Sequence, residues 1–510
     1  MTVTFLPILS LLIGVPLMGA LLIAFIADIK WVKFIALTTA SIELLVALLL
    51  TFSFNTSNTD FQFVEHATWI PSVRATFFLG VDGLSVVFLP LTALLMFVAI
   101  LASWQSVVQL TRLHFALLLV LESATMGVFS ALDMLLFFLF WEATLPPIFF
   151  LIGLWGIGAK RRQAALKYTL FMLCGGVPLL FGVILLAVNH AHQQGGALLA
   201  GLSFSYPELL NTSVPESLQC VILLLLTLGF AVKTPLVPFH TWLPTVAMES
   251  PAPLSALLMG LKLGAFGLLR FALPLAPSAV SHYAWLLALL GAITAVYGAL
   301  IALKQTNLRQ LLAYLSISHV GLVVMGIASF TLQSLQGAVF QLLNFTFIAS
   351  SLMLLAGFVQ QRFGSTELVH LGGLASLLPK GCVLFYLFSL ASVGMPLTSG
   401  FPAEMLVMIG LFSHQFSLGI VGLLGAILGV AALFGFIQKM FLGESRHHAT
   451  RETRELLDLR YYELWALCLP AALVFIFGLW PQGMLALTHN SAALWLHRLA
   501  NLPLTLSFAS

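Results

Sequence analysis

Glu142, Lys233, Lys262, His319 and Glu404 are ionisable residues set in otherwise apolar sequence, and together they have the chemistry to pass a proton. Glu142 closes the run Phe137-Phe-Leu-Phe-Trp-Glu142 and is followed by Pro146 and Pro147. Burial and a nearby cation act on such a carboxyl proton in opposite senses. Lys233, close to Pro235 and Pro238, supplies a candidate cation, and Lys262 lies on the glycine-lined stretch Leu258-Met-Gly-Leu-Lys-Leu-Gly264. His319 stands in Leu315-Ser-Ile-Ser-His319, and Glu404 follows Pro396, Gly400 and Pro402. Titratable groups of alternating sign in opposed surroundings are what a proton relay requires. Glu43 and Glu122 are equally placed in apolar runs, but each could satisfy a polar group of a neighbouring helix. A lone Glu–Lys pair can be structural glue, and His319 alone would read as a satisfied core histidine. His240 reads either as an uptake group or as a plain interfacial residue. Asp82 and Arg270 lie nearer the ends of apolar runs, where snorkelling accounts for them. The set, rather than any member, points to transport.

The elements that must hold these groups are membrane helices. The chain has 510 residues, 60% apolar and 8% charged, with a mean hydropathy of +1.07. A soluble domain carries roughly 25% charged residues, so a water-soluble protein is excluded. Apolar runs long enough to cross ~30 Å of hydrocarbon number about fourteen and recur from end to end. They start near residues 4, 31, 84, 113, 132, 166, 217, 251, 282, 309, 332, 380, 417 and 463, and the first has no basic leader before it. They lack the strict alternation of barrel strands, so the expected fold is an all-α polytopic membrane protein. Lys and Arg gather after odd-numbered spans (Lys30, Arg112, Arg161, Lys304, Lys439), while the other loops hold Asp60, Glu65, Asp133, Glu208 and Glu216. The positive-inside rule then makes the basic loops cytoplasmic and puts both termini on the outer side, here of a bacterial inner membrane.

Spans 7 and 12 are interrupted by proline and glycine, which free backbone groups inside the bilayer. Interrupted helices at matching places in two halves point to inverted repeats around an ion pathway. Spans 4–8 (residues 111–275) and 9–13 (residues 276–442) are five-span units with the broken helix fourth in each, and an odd number of spans inverts the second unit. Residues 1–110 hold spans 1–3. Residues 443–510 hold a charged cytoplasmic loop, span 14 and a C-terminal interfacial segment. In that loop Arg446, His447, Arg451, Glu452, Arg454 and Glu455 mix signs and read as a solvated helix.

Cys174, Cys220, Cys382 and Cys468 are far apart in sequence and read as small buried hydrophobes, not as metal ligands or a disulfide framework. No P-loop, dinucleotide fingerprint, nucleophile–base motif or metal-ligand spacing occurs, so no cofactor is expected on this chain. A net charge of +3 gives no footing for nucleic acid.

These residues resemble the antiporter-like, proton-translocating subunits of respiratory complex I (NADH:quinone oxidoreductase), nearest the subunit M (chain 4) branch. The resemblance rests on Gly80-Val-Asp-Gly-Leu-Ser85, on Phe137 to Glu142 with Leu151-Ile-Gly-Leu-Trp-Gly156, and on Ala231-Val-Lys-Thr-Pro-Leu-Val-Pro-Phe-His-Thr-Trp-Leu-Pro244. Lys262 with Gly267-Leu-Leu-Arg270, Gln305 to His319, and Gly400-Phe-Pro-Ala-Glu404 extend it. It implies two inverted repeats and proton translocation coupled to redox chemistry in partner membrane subunits, which would hold flavin, Fe–S clusters and quinone. It also implies that Glu142 and Lys233 form a coupled pair, that Lys262 and His319 continue a mid-membrane axis, and that Glu404 faces the release side. Two departures stand out. The family's Gln-Met-Ile-x-His-Gly pattern of span 11 reads Gln341-Leu-Leu-Asn-Phe-Thr346 here, with Asn344 taken in the histidine's place. The family's Asp-Ala-His after Trp-Leu-Pro reads Thr245-Val-Ala. The same module in a membrane hydrogenase, a cation/proton antiporter or a CO2-hydrating uptake complex is the alternative, and a structural spacer with inert buried pairs is a third.

Overall fold

The computed structural model describes residues 7–195, 198–444 and 458–500, so the charged loop around Arg446 to Glu455 lies outside the described residues. Twelve helices are long and apolar enough to cross a membrane, from Ile8–Phe25 to Tyr461–Leu479. The two other expected spans are a shorter apolar helix, Phe88–Ser103, and a divided one, Pro379–Ser392 with Gly400–His414. A two-stranded antiparallel hairpin, Gln62–Ile70 with Ala75–Val81, precedes span 3. It is tied down by Asp133, which accepts from Thr76 N and Oγ1 at 2.9 Å while also capping the Met134–Ala143 helix through Leu135 N and Leu136 N. On the same hairpin Glu65 accepts from Leu9 N at 2.7 Å, placing a carboxylate at the start of the Ile8–Phe25 helix, where the helix dipole favours it.

Five spans are interrupted, not two. Span 7 runs Glu216–Lys233 and resumes as Trp242–Glu249, and span 12 breaks between Ser392 and Gly400, both as their prolines require. Span 5 is divided at Thr144, just before Pro146 and Pro147, into Met134–Ala143 and Leu145–Trp155. Span 8 comprises Ala252–Gly260, Leu263–Gly267 and a π-helical turn, Leu268–Ala272; span 11 has a π-helical turn at Phe345–Ala349. In lipid each freed backbone group needs a protein partner, and neighbouring helices supply them. Trp242 Nε1 donates to Val232 O at 2.8 Å, and Val237 N donates to Thr294 Oγ1 on span 9 at 3.1 Å. Thr346 Oγ1 of span 11 donates to Gly260 O at 3.3 Å, and Asn344 Nδ2 donates to Ser399 O in the span-12 break at 3.0 Å.

Two expectations need correcting. Asp82 and Arg270 do not snorkel: they form a buried ion pair, with the guanidinium also 4.8 Å from the Phe61 ring and 5.1 Å from that of Tyr206. Burial removes the water that would reward separate charges, so each group is held by the other. The cysteines are free, but Cys174 and Cys468 are exposed on outward helix faces and the other two are half-buried, because lipid tolerates a thiol as readily as a core does. The C-terminal segment is a helix, Gln482–Ala500, packed onto the body, with Trp495 buried.

Candidate functional site

Lys233 ends the Glu216–Lys233 helix, where a cation suits the helix dipole. Its ammonium donates to Trp141 O at 3.1 Å and Thr144 Oγ1 at 2.9 Å, and sits 3.9 Å from the centre of the Trp141 ring. Thr144 in turn donates to Trp141 O at 2.8 Å, so the break in span 5 shapes a socket for the lysine of span 7. Glu142 is one residue from this socket yet makes no ion-pair contact with Lys233 among the described residues. Its Oε1 is buried without a partner, and its carboxylate lies against Gly176 of span 6, where a Cβ would collide with it. The two groups are electrostatic neighbours without an ion-pair contact between them.

The breaks of spans 7 and 8 meet. Gly264 lies so close to Thr234 N and Oγ1 that no side chain fits between them, which brings the helix carrying Lys262 onto the one carrying Lys233. Lys262, with Leu261, forms the break between Ala252–Gly260 and Leu263–Gly267; it is 4% exposed, donates to Ser316 Oγ at 2.8 Å and lies 4.7 Å from the Phe345 ring centre. Ser316 and His319 are three residues apart on the Leu308–Ala328 helix and therefore share a face. The His319 and Phe345 ring centres are 6.4 Å apart, so Phe345 touches both neighbours of that face. His319 and Glu404 then line one small cavity together with Ser392 and Gly429. At about 10 Å³ it is at the lower bound for a single water. Glu404 is flanked by Gly394, whose φ of +68° and closeness to the carboxylate both exclude a larger residue. A glycine thus makes room for each of the two acids that end the set.

Asn344 points elsewhere. Besides Ser399 O, its amide reaches Gln341 Oε1 at 3.2 Å, so it satisfies the span-12 break and does not face Lys262. Counted from Gln341, the histidine's position in the pattern belongs to Phe345, whose ring occupies the place between Lys262 and His319. His240 is buried, with its ring centre 5.1 Å from that of Tyr297, and Nδ1 has no partner. Above it Lys167 donates to Thr241 O at 2.7 Å and Thr245 Oγ1 at 2.9 Å, so Thr245 fills a polar role in the altered stretch. Glu122 lies apart from all of these, in the N-terminal bundle with Glu43. Sequence reading missed Trp141, Thr144, Ser316 and Phe345 because polar and aromatic residues of these kinds occur all along the spans; only Thr144, before a double proline, carried a local signal.

A family profile described as NADH:quinone oxidoreductase/Mrp antiporter, TM, matches residues 131–429. Over 496 residues the chain is 33% identical to a Rickettsia typhi protein named NADH-quinone oxidoreductase subunit M, covering 95% of this chain and 98% of that one. Over 487 residues it is 37% identical to a Synechococcus protein named NAD(P)H-quinone oxidoreductase chain 4 1, covering 93% and 90%. A chain of respiratory complex I from Thermus thermophilus with bound NADH superposes with a TM-score of 0.86 at 29% identity, covering 96% of this chain and 99% of that one. A chain of the Mrp complex from Dietzia sp. superposes with a TM-score of 0.80 at 22% identity, a likeness of fold.

Proposed function

Because the chain belongs to the NADH:quinone oxidoreductase/Mrp antiporter membrane family, we propose that it is the proton-translocating subunit, of the subunit M type, of a complex-I-type NADH:quinone oxidoreductase. Other subunits of that membrane complex carry the redox groups. The observation that supports a path through this chain is the continuity of the polar set. Lys233 and Lys262 lie on helices whose breaks meet at Thr234 and Gly264, Lys262 is bonded to Ser316, and His319 shares a cavity with Glu404. Glu142, Lys233 and Lys262 belong to the first of two five-helix units of opposite orientation, and His319 and Glu404 to the second. The basic loops, among them Lys160 to Arg162 and Lys304, face the cytoplasm, with both termini outside.

In this reading Lys233 alternates between its socket on Trp141 and Thr144 and a closer approach to Glu142. Leaving the carboxylate's field removes support from the ammonium, and its proton passes by way of Lys262 and His319 to Glu404. Moving one charge against 100 mV costs about 2.3 kcal/mol. A hydrogen bond to a charged group contributes about 1.5–3 kcal/mol, so making and breaking the bonds of one lysine is a sufficient stroke. The test is proton translocation by the assembled complex in vesicles. Glu142→Gln and Lys262→Ala should assemble normally and lose coupled turnover by an order of magnitude or more. Normal proton-to-electron ratios in both variants would remove the relay and favour a structural spacer. The Thr245-Val-Ala stretch of the Trp242–Glu249 helix, which lacks the family's Asp-Ala-His, favours as second reading the same module in another complex; co-purifying subunits distinguish the two.

A further inference from the structure

The helices Ile8–Phe25, Ile29–Phe52, Phe88–Ser103 and Thr111–Ser130 pack together as a bundle, and the relay does not use it. Inside this bundle are two carboxyl groups, Glu43 and Glu122. Neither has any exposed surface, and all four of their oxygens are buried without a hydrogen-bond partner. The helices that carry them are in contact, and Glu122 is near enough to Glu43 to act on its charge. Both lie near mid-helix, at the fifteenth residue of Ile29–Phe52 and the twelfth of Thr111–Ser130.

Among the described residues neither carboxyl makes an ion pair. Ile8–Phe25 and Phe88–Ser103 contain no ionisable side chain. The basic residues of the other two helices are Lys30, Lys33, Arg112 and His114, all in the first turns. Lys33 donates to Trp104 O at 2.5 Å and Arg112 to Ala27 O at 3.3 Å. His114 is eight residues before Glu122, about 12 Å along the helix, and its Nε2 meets Ser103 Oγ at 3.3 Å. An isolated ionised carboxylate in an apolar interior is far costlier than a neutral one, and two adjacent carboxyls cannot both ionise. A neutral carboxyl still carries a donor that needs an acceptor. In the structure that donor has no acceptor, since none of the four oxygens is hydrogen-bonded.

We propose that Glu43 and Glu122 are a proton-binding dyad, a mid-membrane carboxyl pair that holds an exchangeable proton independently of the Glu142–Glu404 set. Binding takes a proton from water to form an O–H bond on one carboxylate oxygen; release breaks that bond and returns the proton to water.

The test is infrared difference spectroscopy of the purified complex containing this chain, equilibrated in H2O and in D2O. A protonated-carboxyl C=O band that shifts in D2O is expected in the wild type and in Glu142→Gln/Glu404→Gln. Glu43→Gln and Glu122→Gln should each change it, and the double variant should abolish that component. Persistence of the full band in the double variant overturns the proposal, as does a band that stays unshifted after prolonged equilibration in D2O, which marks a sealed structural pair. If the glutamine variants fail to assemble, Glu43→Asp and Glu122→Asp retain the acid and should shift the band; an unshifted band in both overturns the dyad. Because the relay acids are already neutralised in the comparison background, failure here is separate from failure of the relay.

Discussion

At the scale of single residues, the unexpected member of the set is Phe345. It has no titratable group, yet its ring is 4.7 Å from the Lys262 ammonium and its centre is 6.4 Å from that of His319. A cation over an aromatic face gains about 0.5–2 kcal/mol, most where water is excluded. The ring therefore steadies Lys262 in its charged, Ser316-bonded position without offering the proton a stopping place. Phe345→Leu keeps the apolar volume and removes the face. A loss of about 1 kcal/mol corresponds to a roughly fivefold slower coupled turnover, measured as quinone-dependent proton uptake into vesicles. Phe345→His restores a polar ring at the same place and should turn over faster than the leucine variant. Equal rates for the leucine variant and the wild type would show that the ring does not steady Lys262.

At the scale of elements, the breaks in the helices position the chemistry, and their stability depends on partners remote in sequence. Thr294 of span 9 accepts from Val237 N at 3.1 Å while its own hydroxyl donates to Leu290 O at 2.7 Å. Thr294→Val is nearly isosteric and leaves a buried N–H unpaired, which costs about 1–3 kcal/mol. The heat-inactivation midpoint of the purified complex should fall accordingly; an unchanged midpoint would mean that the span-7 break finds another acceptor. The same dependence explains what was legible in the sequence. Pro235, Pro238, Pro396 and Pro402 mark breaks locally, because a proline lacks the N–H wherever it stands. The interruption at Lys262 has no proline, and one of its freed carbonyls, Gly260 O, is satisfied by Thr346, 86 residues away. No window of sequence contains both halves of that bond. Glu142, Lys233, Lys262, His319 and Glu404 were visible because charge in lipid is conspicuous wherever it is found. Thr144 and Ser316 were not, since a hydroxyl in a membrane helix commonly bonds its own backbone, as Thr125 does to Leu121 O. Asp82 and Arg270 were misread because each is plausible alone near a span end and only the fold reveals the other.

At the scale of the whole molecule, the C-terminal helix Gln482–Ala500 reaches separated parts of the chain through side-chain hydrogen bonds. Asn490 Nδ2 donates to Thr56 O at 2.6 Å and Ser491 Oγ accepts from Gly83 N at 2.9 Å, both on the N-terminal bundle side. Trp495 Nε1 donates to Leu269 O in the π-helical turn of span 8 at 2.8 Å, and Leu485 O accepts from Gln336 Nε2 of span 11 at 3.1 Å. The helix therefore clasps the bundle and both candidate repeats at one end of the molecule, while Lys262, His319 and Glu404 lie deeper and touch none of these bonds. Trp495→Phe isolates the contribution of one bond, because phenylalanine retains the stacking of Trp495 on Phe330, whose ring centres are 5.9 Å apart. It leaves Leu269 O unpaired in a turn whose neighbouring Arg270 is already committed to Asp82. The expected loss is about 1–3 kcal/mol of stability, read as a lower heat-inactivation midpoint and faster proteolysis within residues 482–500. The proton-to-electron ratio should be unchanged at temperatures where the complex stays assembled. A fall in that ratio at unaltered stability would give the clasp a different part, since it would mean that the π-helical turn transmits the state of the C-terminal helix along span 8 to Lys262.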